Sequence, residues 1–455
     1  MSWHARRIRH RVLMGVAAFG LIVCASQLAV WRGSPAEGSA RRPAVSVQVS
    51  TQQASPGQYS HRMIFPQIAN GRSDRLQIRS AILILNNGHR AAQGQVRLTS
   101  DSGVAWSLGT SLGAGSLFDF TLEPGGLLRI ETDGGGDVAK GWAEVVSDWA
   151  LSGSASYVID NAAGQFLSEV GIGNSPGATN LLIYAERSGA VDTALAVCNP
   201  GDSAADLELE LRALSGATVA TTPLSLEPHA QEAGYLGDLF PGQSGFQGVI
   251  AVTGSSEVSM VALRTRDVNF TSLPSAVAAA GDHPVVYFPR IGDGLFGLAS
   301  ASAGGTAAPS GLRFLTRFLL LNPSAEPVRA RLELFDQSGD PWNLSVDGES
   351  DGSIALDVPA GGATTVTTGG LSEPGGVGWA RLQSDAPLSA QALFEIRSSP
   401  DDAFVSELGI PAGAPVYAPV FYARESDQGS VGLALTNPAA EDLTVSLSLF
   451  GPDQD

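Results

Sequence analysis

Two stretches of the chain carry the Gly-x-Ser-x-Gly spacing of a nucleophile elbow: Gly109–Gly113, centred on Ser111, and Gly173–Gly177, centred on Ser175. Such an elbow activates its serine only where a strand runs in and a helix runs out. Both serines sit among turn residues, and Pro176 follows Ser175 directly. They read as loop serines. His61, His89, His229 and His283 share no ligand-like spacing, so they read as surface or turn residues rather than a zinc or triad set. Asp133–Asp137, Asp336–Asp340 and Asp347–Asp351 could each offer oxygens to calcium, but none has the twelve-residue loop of an EF-hand. They read as polar turns. No catalytic, cofactor-binding or metal-ligating residue is assigned.

The tryptophans are the remaining candidates. Trp142 and Trp379 both stand between Gly and Ala, and Trp106 matches Trp342. Exposed on an open face, Trp142 and Trp379 could stack on sugar rings. Filling a core is the commoner use of such residues. Cys198 occupies a position held elsewhere by Leu85, Leu321 and Thr436, which marks it as a packing residue. Glu186-Arg187 becomes Arg424-Glu425 in its counterpart, as a solvated surface pair would.

These comparisons rest on an internal repeat. Phe166–Pro200 aligns without a gap on Phe404–Pro438, an offset of 238 residues, and Leu85–Trp106 aligns on Leu321–Trp342, an offset of 236. Repeats of this kind mark an array of like modules. Four apolar runs end in Asn86, Asn199, Asn322 and Asn437, spaced by about one β-sandwich domain. Asn is expected there as a turn former that tolerates left-handed backbone and bonds its own main chain.

Within each copy the period is two, as in Leu207–Arg212 and Leu443–Leu449, which predicts half-buried antiparallel strands. Further strands are expected at Leu76–Leu85, Gln93–Thr99, Leu117–Leu122, Leu127–Thr132, Gly141–Val146 and Leu151–Ile159. A short helix is expected within Asp267–Ala280. The boundaries that follow are 1–30 signal peptide or membrane anchor, 31–60 linker, 61–171 first sandwich, 172–283 second, 284–408 third and 409–455 a partial fourth. That fourth stretch reads as a fragment of a longer product, or one completed by another chain.

Residues 1–11 hold Arg6, Arg7, Arg9 and Arg11 and no acid, and Val12–Val30 carries no charge. A basic segment before an apolar one predicts export, by a cleaved signal or a retained anchor. The chain carries −18 overall, and residues 1–30 contribute +4, which leaves −22 beyond them. So acidic a body repels phosphate, and no nucleic-acid partner is expected. Cys24 falls in the leader and leaves Cys198 without an intramolecular disulfide partner.

The segments FPQIANG, FPRIGDG, LFPGQSGFQGVIAV and FVSELGIPAG resemble tandem Ig-like β-sandwich modules of exported proteins from soil bacteria, notably acidobacteria. The resemblance implies a surface or secreted location and a binding or spacer role, and it carries over no site residue. The reading is thus all-β: tandem Ig-like or fibronectin-like antiparallel sandwiches after a signal or anchor helix. The function expected is a non-enzymatic adhesion or scaffold stalk, extracellular, on the outer surface or in the periplasm. No cofactor is called for. Its partners would be a cell-surface protein or polysaccharide, with membrane contact only through residues 12–30 if uncleaved. The alternative is a glycan-binding accessory region of a larger secreted enzyme. Modules joined end to end, with bending at Gly171–Gly177 and Gly409–Ala414, are expected in either case.

Overall fold

Alternating apolar residues separated by Gly, Pro and Asx turns give an almost wholly β chain. The computed structural model describes residues 45–55, 57–277, 284–296, 311–416, 425–426, 429–430 and 432–447. The expectations for residues 1–44, and for His283 and Arg424, lie outside this set. Among the described residues no helix is long and apolar enough to cross a membrane.

The first group of strands is β1 (Val45–Val49), β2 (His61–Arg72), β3 (Leu76–Leu85), β4 (Ala92–Ser100), β5 (Leu117–Leu122), β6 (Leu127–Glu131), β7 (Ala139–Ser147), β8 (Ser152–Asn161) and β9 (Phe166–Gly173). One layer runs β1-β5-β4-β7-β2 and the other β6-β3-β8-β9. Strand β2 belongs to both, because its last residues, Gly71 and Arg72, turn to pair with Ile78 and Gln77. The six strands expected between Leu76 and Ile159 are all present, with ends shifted by no more than two residues. Part of the stretch expected to be linker, Val45–Val49, is instead an edge strand on β5.

The second group is β10 (Ala178–Arg187), β11 (Val191–Cys198), β12 (Ala205–Ala213), β13 (Thr218–Leu226), β14 (Gln231–Tyr235), the one-turn helix α1 (Leu236–Leu239), β15 (Phe246–Arg266), β16 (Asn269–Pro274) and β17 (Ala276–Val277). Its layers are β13-β12-β15-β10-β17 and β14-β11-β15-β16, and the two halves of the long β15 serve one layer each. The helix expected within Asp267–Ala280 is absent among the described residues. Asp267 takes positive φ at a tight turn, and Asn269–Pro274 pairs back onto β15. Tertiary pairing overrides a weak local signal there.

The third group is β18 (Val285–Phe296), β19 (Gly311–Leu321), β20 (Val328–Asp336), β21 (Leu344–Val346), β22 (Glu349–Asp351), β23 (Ser353–Val358), β24 (Ala363–Thr367), β25 (Gly376–Ser384), β26 (Ser389–Ser399) and β27 (Phe404–Pro411). Its layers run β23-β20-β25-β18 and β24-β19-β26-β27, with β18 bending over to meet β19. β21 and β22 form a separate small hairpin.

The Phe-Pro motif has a mechanical reading. Phe65 and Ile68 are buried in the core, while the pairing of β2 with β7 skips Pro66 and Gln67. Proline has no N–H for the ladder, so the strand bulges there. Phe288, Pro289 and Ile291 repeat the arrangement in β18. Farther along, Gly71 has φ +126°, and a Cβ on it would sit 2.2 Å from Asp137 O. Gly294 has φ +95° and the same crowding against Ser372 O. Only glycine suits both demands at the crossing between layers.

Two buried polar devices hold each unit at its opening strand and at its loops. Ser80 Oγ accepts from Ala69 N (3.0 Å) and donates to Ala69 O (2.6 Å). Thr193 does the same to Glu186, and Thr316 to Gly292. Each hydroxyl ties the first strand of a unit to its second. The repeated asparagines form the second device. Asn86 Nδ2 donates to Arg90 O and Leu122 O at 2.8 Å each, and its Oδ1 accepts from Gly88 N. Asn199 and Asn322 repeat this on Leu226 O and Val358 O. All three are fully buried and none has positive φ. The expected bond from the nearby main chain to the asparagine side chain is present in all three, the left-handed backbone is not, and the same side chain also pins the start of one loop to the end of another strand.

Removing such a group strands several buried backbone partners. Thr316→Val should cost about 1–3 kcal/mol and Asn322→Ala about 2–4 kcal/mol, read as a lower urea midpoint with unchanged slope. A loss below about 0.5 kcal/mol for both would show that the clamps contribute nothing to stability.

Candidate functional site

The units do not hang as separate beads. Trp142 lies on the outer face of β7, next to core residue Ala143, yet it is fully buried, in a cluster with Ile64 and Cys198 of β11. Its indole N–H donates to His229 O at 2.8 Å. Gln231 Nε2 reaches Gly141 O at 2.9 Å, Gln231 N reaches Asp101 O at 2.8 Å, and Lys140 Nζ reaches Ala233 O at 2.8 Å. Arg62 bridges Glu144 and Pro200 O. His229 takes positive φ to bring its carbonyl to this place. Ala196, Val261 and Leu263, on the outer side of the second unit, join the first unit's core. The junction expected to bend is pinned as well: Ser175 is buried, its N–H donates to Ile64 O, and its Oγ donates to Met260 O at 2.7 Å.

Charge holds the second unit to the third. Arg264 Nη1 meets Glu407 Oε2 at 2.6 Å, and its Nε meets Glu186 Oε2 at 3.2 Å. Arg317 Nη1 reaches the same Glu186 oxygen, and Arg266 pairs with Glu395. Burial works against the Arg264 charge, but Glu407 and Glu186 outweigh it and hold the guanidinium above its usual range. Glu186 is thus buried and shared between units, which replaces the solvated pair with Arg187 expected from sequence. Leu319, Leu321, Ala363 and Leu393 of the third unit complete the second unit's core cluster.

The predicted site residues divide accordingly. Trp142 is fully buried, as a packing residue would be, but in a cluster with Ile64 and Cys198 at a contact between units rather than inside one sandwich. Trp379, its counterpart, is part-exposed and stacks on Phe335 at 4.2 Å, with Tyr287 at 6.2 Å. Cys198 packs as expected of a small apolar filler, though at the junction, and burial pushes its thiol well up. Ser111 Oγ accepts from Glu131 N, so both elbow-like serines are bonded to backbone. Asp133 caps Gly135 N, Asp336 caps Ser338 N, and Asp351 caps Ser353 N. The Asp133–Asp137 loop does border an open cleft of about 590 Å³ with Arg72 and Asp74. Among the described residues no three His, Cys, Asp or Glu side chains converge on a metal position. His229 Nε2 lies 3.1 Å from Asp202 Oδ1 at the rim of the junction.

The junctions left a sequence signal that residue-by-residue matching passes over. Leu195–Cys198 and Met260–Leu263 are apolar at consecutive positions, which marks a strand covered on both faces. Comparisons with known protein families, with curated proteins and with solved structures find no match.

Two outcomes test the junctions. Cys198 should react slowly with a maleimide in the native chain, and Trp142→Ala should speed labelling by about tenfold or more. Equal rates would mean that Trp142 does not seal this contact. Arg264→Ala takes from the buried Glu407 its arginine partner and leaves Glu186 with Arg317 alone, and should cost about 3–5 kcal/mol by urea unfolding, against under about 1 kcal/mol for an exposed pair.

Proposed function

We propose that the chain is an exported, non-enzymatic array of Ig-like β-sandwich units that serves as an adhesion or scaffold stalk at the cell surface or beyond it. One observation carries the reading: the polar residues that recur between units are spent on the protein's own backbone. Ser80, Thr193 and Thr316 bond strand to strand, and Asn86, Asn199 and Asn322 bond loop to strand. Recurrence of these polar groups among copies thus has a mechanical cause in hydrogen bonds to the protein's own backbone. Units locked by buried contacts suit a spacer that must keep its shape. The leader-like residues 1–30 support export, and the acidic body suits a soluble surface protein. A paired aromatic platform for glycans has less support, because Trp142 presents no face to solvent.

The test combines location and binding. Fractionation and protease shaving of intact cells should find the chain outside the inner membrane. The whole protein, screened on polysaccharide and matrix-protein arrays, should bind without turning its ligand over. Cytoplasmic retention, or a hydrolysis abolished by Ser175→Ala, would overturn the proposal.

A further inference from the structure

An equivalent strand stands at the outer side of one layer in every unit, and the three edges are finished differently. The buried asparagines identify them: Asn86, Asn199 and Asn322 donate to Leu122 O, Leu226 O and Val358 O, the last residues of β5, β13 and β23. Beyond β5 lies β1, with Val45 opposite Leu122, Val47 opposite Phe120 and Val49 opposite Phe118. Val45 and Val47 pack on the first unit's core, and Phe118 and Phe120 are 0% and 4% exposed. Among the described residues β13 pairs with β12 alone and β23 with β20 alone.

Backbone alternation tells which of these edges can take a further strand. Ser50 N donates to Leu117 O, so the main-chain groups of Leu117, Asp119 and Thr121 turn toward β1. Leu334 N donates to Gly352 O, and by the same rule those of Ser353, Ala355 and Asp357 turn away from β20. Three residues before each clamped carbonyl stand Asp119, Pro223 and Ala355. Pro223 has no N–H to offer, and a proline at such a place keeps an edge from pairing. Ala355 is exposed and keeps its N–H. Ile354 and Leu356, the counterparts of Phe118 and Phe120, are only part-buried against the third unit's core. Strand β23 thus presents an unguarded edge and incompletely covered apolar residues at the place where the first unit carries β1.

The neighbouring hairpin adds a charge requirement. Leu108 bridges to Gly115 in the first unit as Leu344 pairs with Asp351 in the third. Gly113 and Gly115 seat Val49: a Cβ added to them would come within 3.6 and 2.7 Å of its methyl groups. In the third unit these places hold Glu349 and Asp351, both exposed and neither in an ion pair with a described residue. A valine would meet two carboxylates there, whereas an arginine or lysine would be matched by them. We infer that the outer edge of β23 is a docking site for an extended segment of another polypeptide, running antiparallel to β23. Its residues opposite Val358 and Leu356 are β-branched and apolar, and the residue opposite Ile354 is basic. This is strand addition, in which main-chain bonds give affinity and alternate side chains give selectivity. The chain's own Val45–Val49 lacks the base, so a second copy is not the occupant. The inference goes beyond the stalk reading and does not depend on export.

The experiment adds to the full chain a labelled peptide of residues 44–52 carrying Val49→Arg, and follows anisotropy and hydrogen exchange. Binding is expected, with exchange of the Ala355 amide slowed about tenfold or more. The same peptide with Val49 unchanged, or with Val49→Glu, should bind about tenfold or more weaker. Gln48→Pro in the peptide removes the N–H opposite Ala355 and should abolish binding. In the chain, Ala355→Pro copies Pro223 and should abolish it too. A second variant keeps the test independent of any folding defect: Glu349→Lys with Asp351→Lys should reverse the preference, so that the Val49→Glu peptide binds better than the Val49→Arg one. Absence of binding, binding indifferent to Ala355→Pro, or equal binding of the Arg and Val peptides overturns the inference. So does slow exchange of the Ala355 amide in the free chain, which would mean that the edge is already covered. Self-association of the chain that Ala355→Pro removes would make a second copy the occupant and overturns it as well.

Discussion

Burying a polar group without a partner costs more than most contacts return, and this constraint organises the whole molecule. In every unit one strand serves both layers, β2 in the first, β15 in the second and β18 in the third, and the opening strand is left with an edge that no neighbouring strand covers along its whole length. Backbone groups freed there must find partners in the interior. The hydroxyls of Ser80, Thr193 and Thr316 supply them, each bonding one residue's N–H and C=O together. Asn70 and Asp293 extend the arrangement to the loop before the sixth strand: Asn70 brackets Gly134 and Gly135, and the buried Asp293 accepts from Gly370, Leu371 and Ser372. The chemistry varies between copies while the geometry holds.

The same constraint governs the junctions. A carbonyl at His229 would be lost on burial, but Trp142 offers its one donor. Arg264 would be costly alone, but it has a carboxylate from each of two units. Removing either partner leaves a desolvated group, so the units hold one another in fixed registry. Small residues at Ala194 and Ala196 let the layers approach closely.

Much of the strand layout was legible because alternation reports one covered face and one wet face. Leu76–Leu85 and Leu117–Leu122 match to the residue. The long β15 was harder, since a single strand that serves two layers has no turn residue to mark its middle. The junctions were illegible in the motifs because they use outward-facing residues that pairwise comparison treats as surface. Trp142 and Glu186 are the two instructive cases: each was read as either core or solvent, and each lies between units. The asparagines were recognised as recurrent, but their role depends on Leu122, Leu226 and Val358, some thirty residues away in sequence, and only the fold brings those carbonyls within reach.

Native-state hydrogen exchange of the full chain tests the central claim most directly. If buried polar clamps fix the opening strands, the amides of Ala69, Glu186 and Gly292 should exchange as slowly as the central core amides of their units, and only through unfolding of the whole unit. Exchange of these three amides within seconds, while the surrounding strands stay protected, would contradict the account.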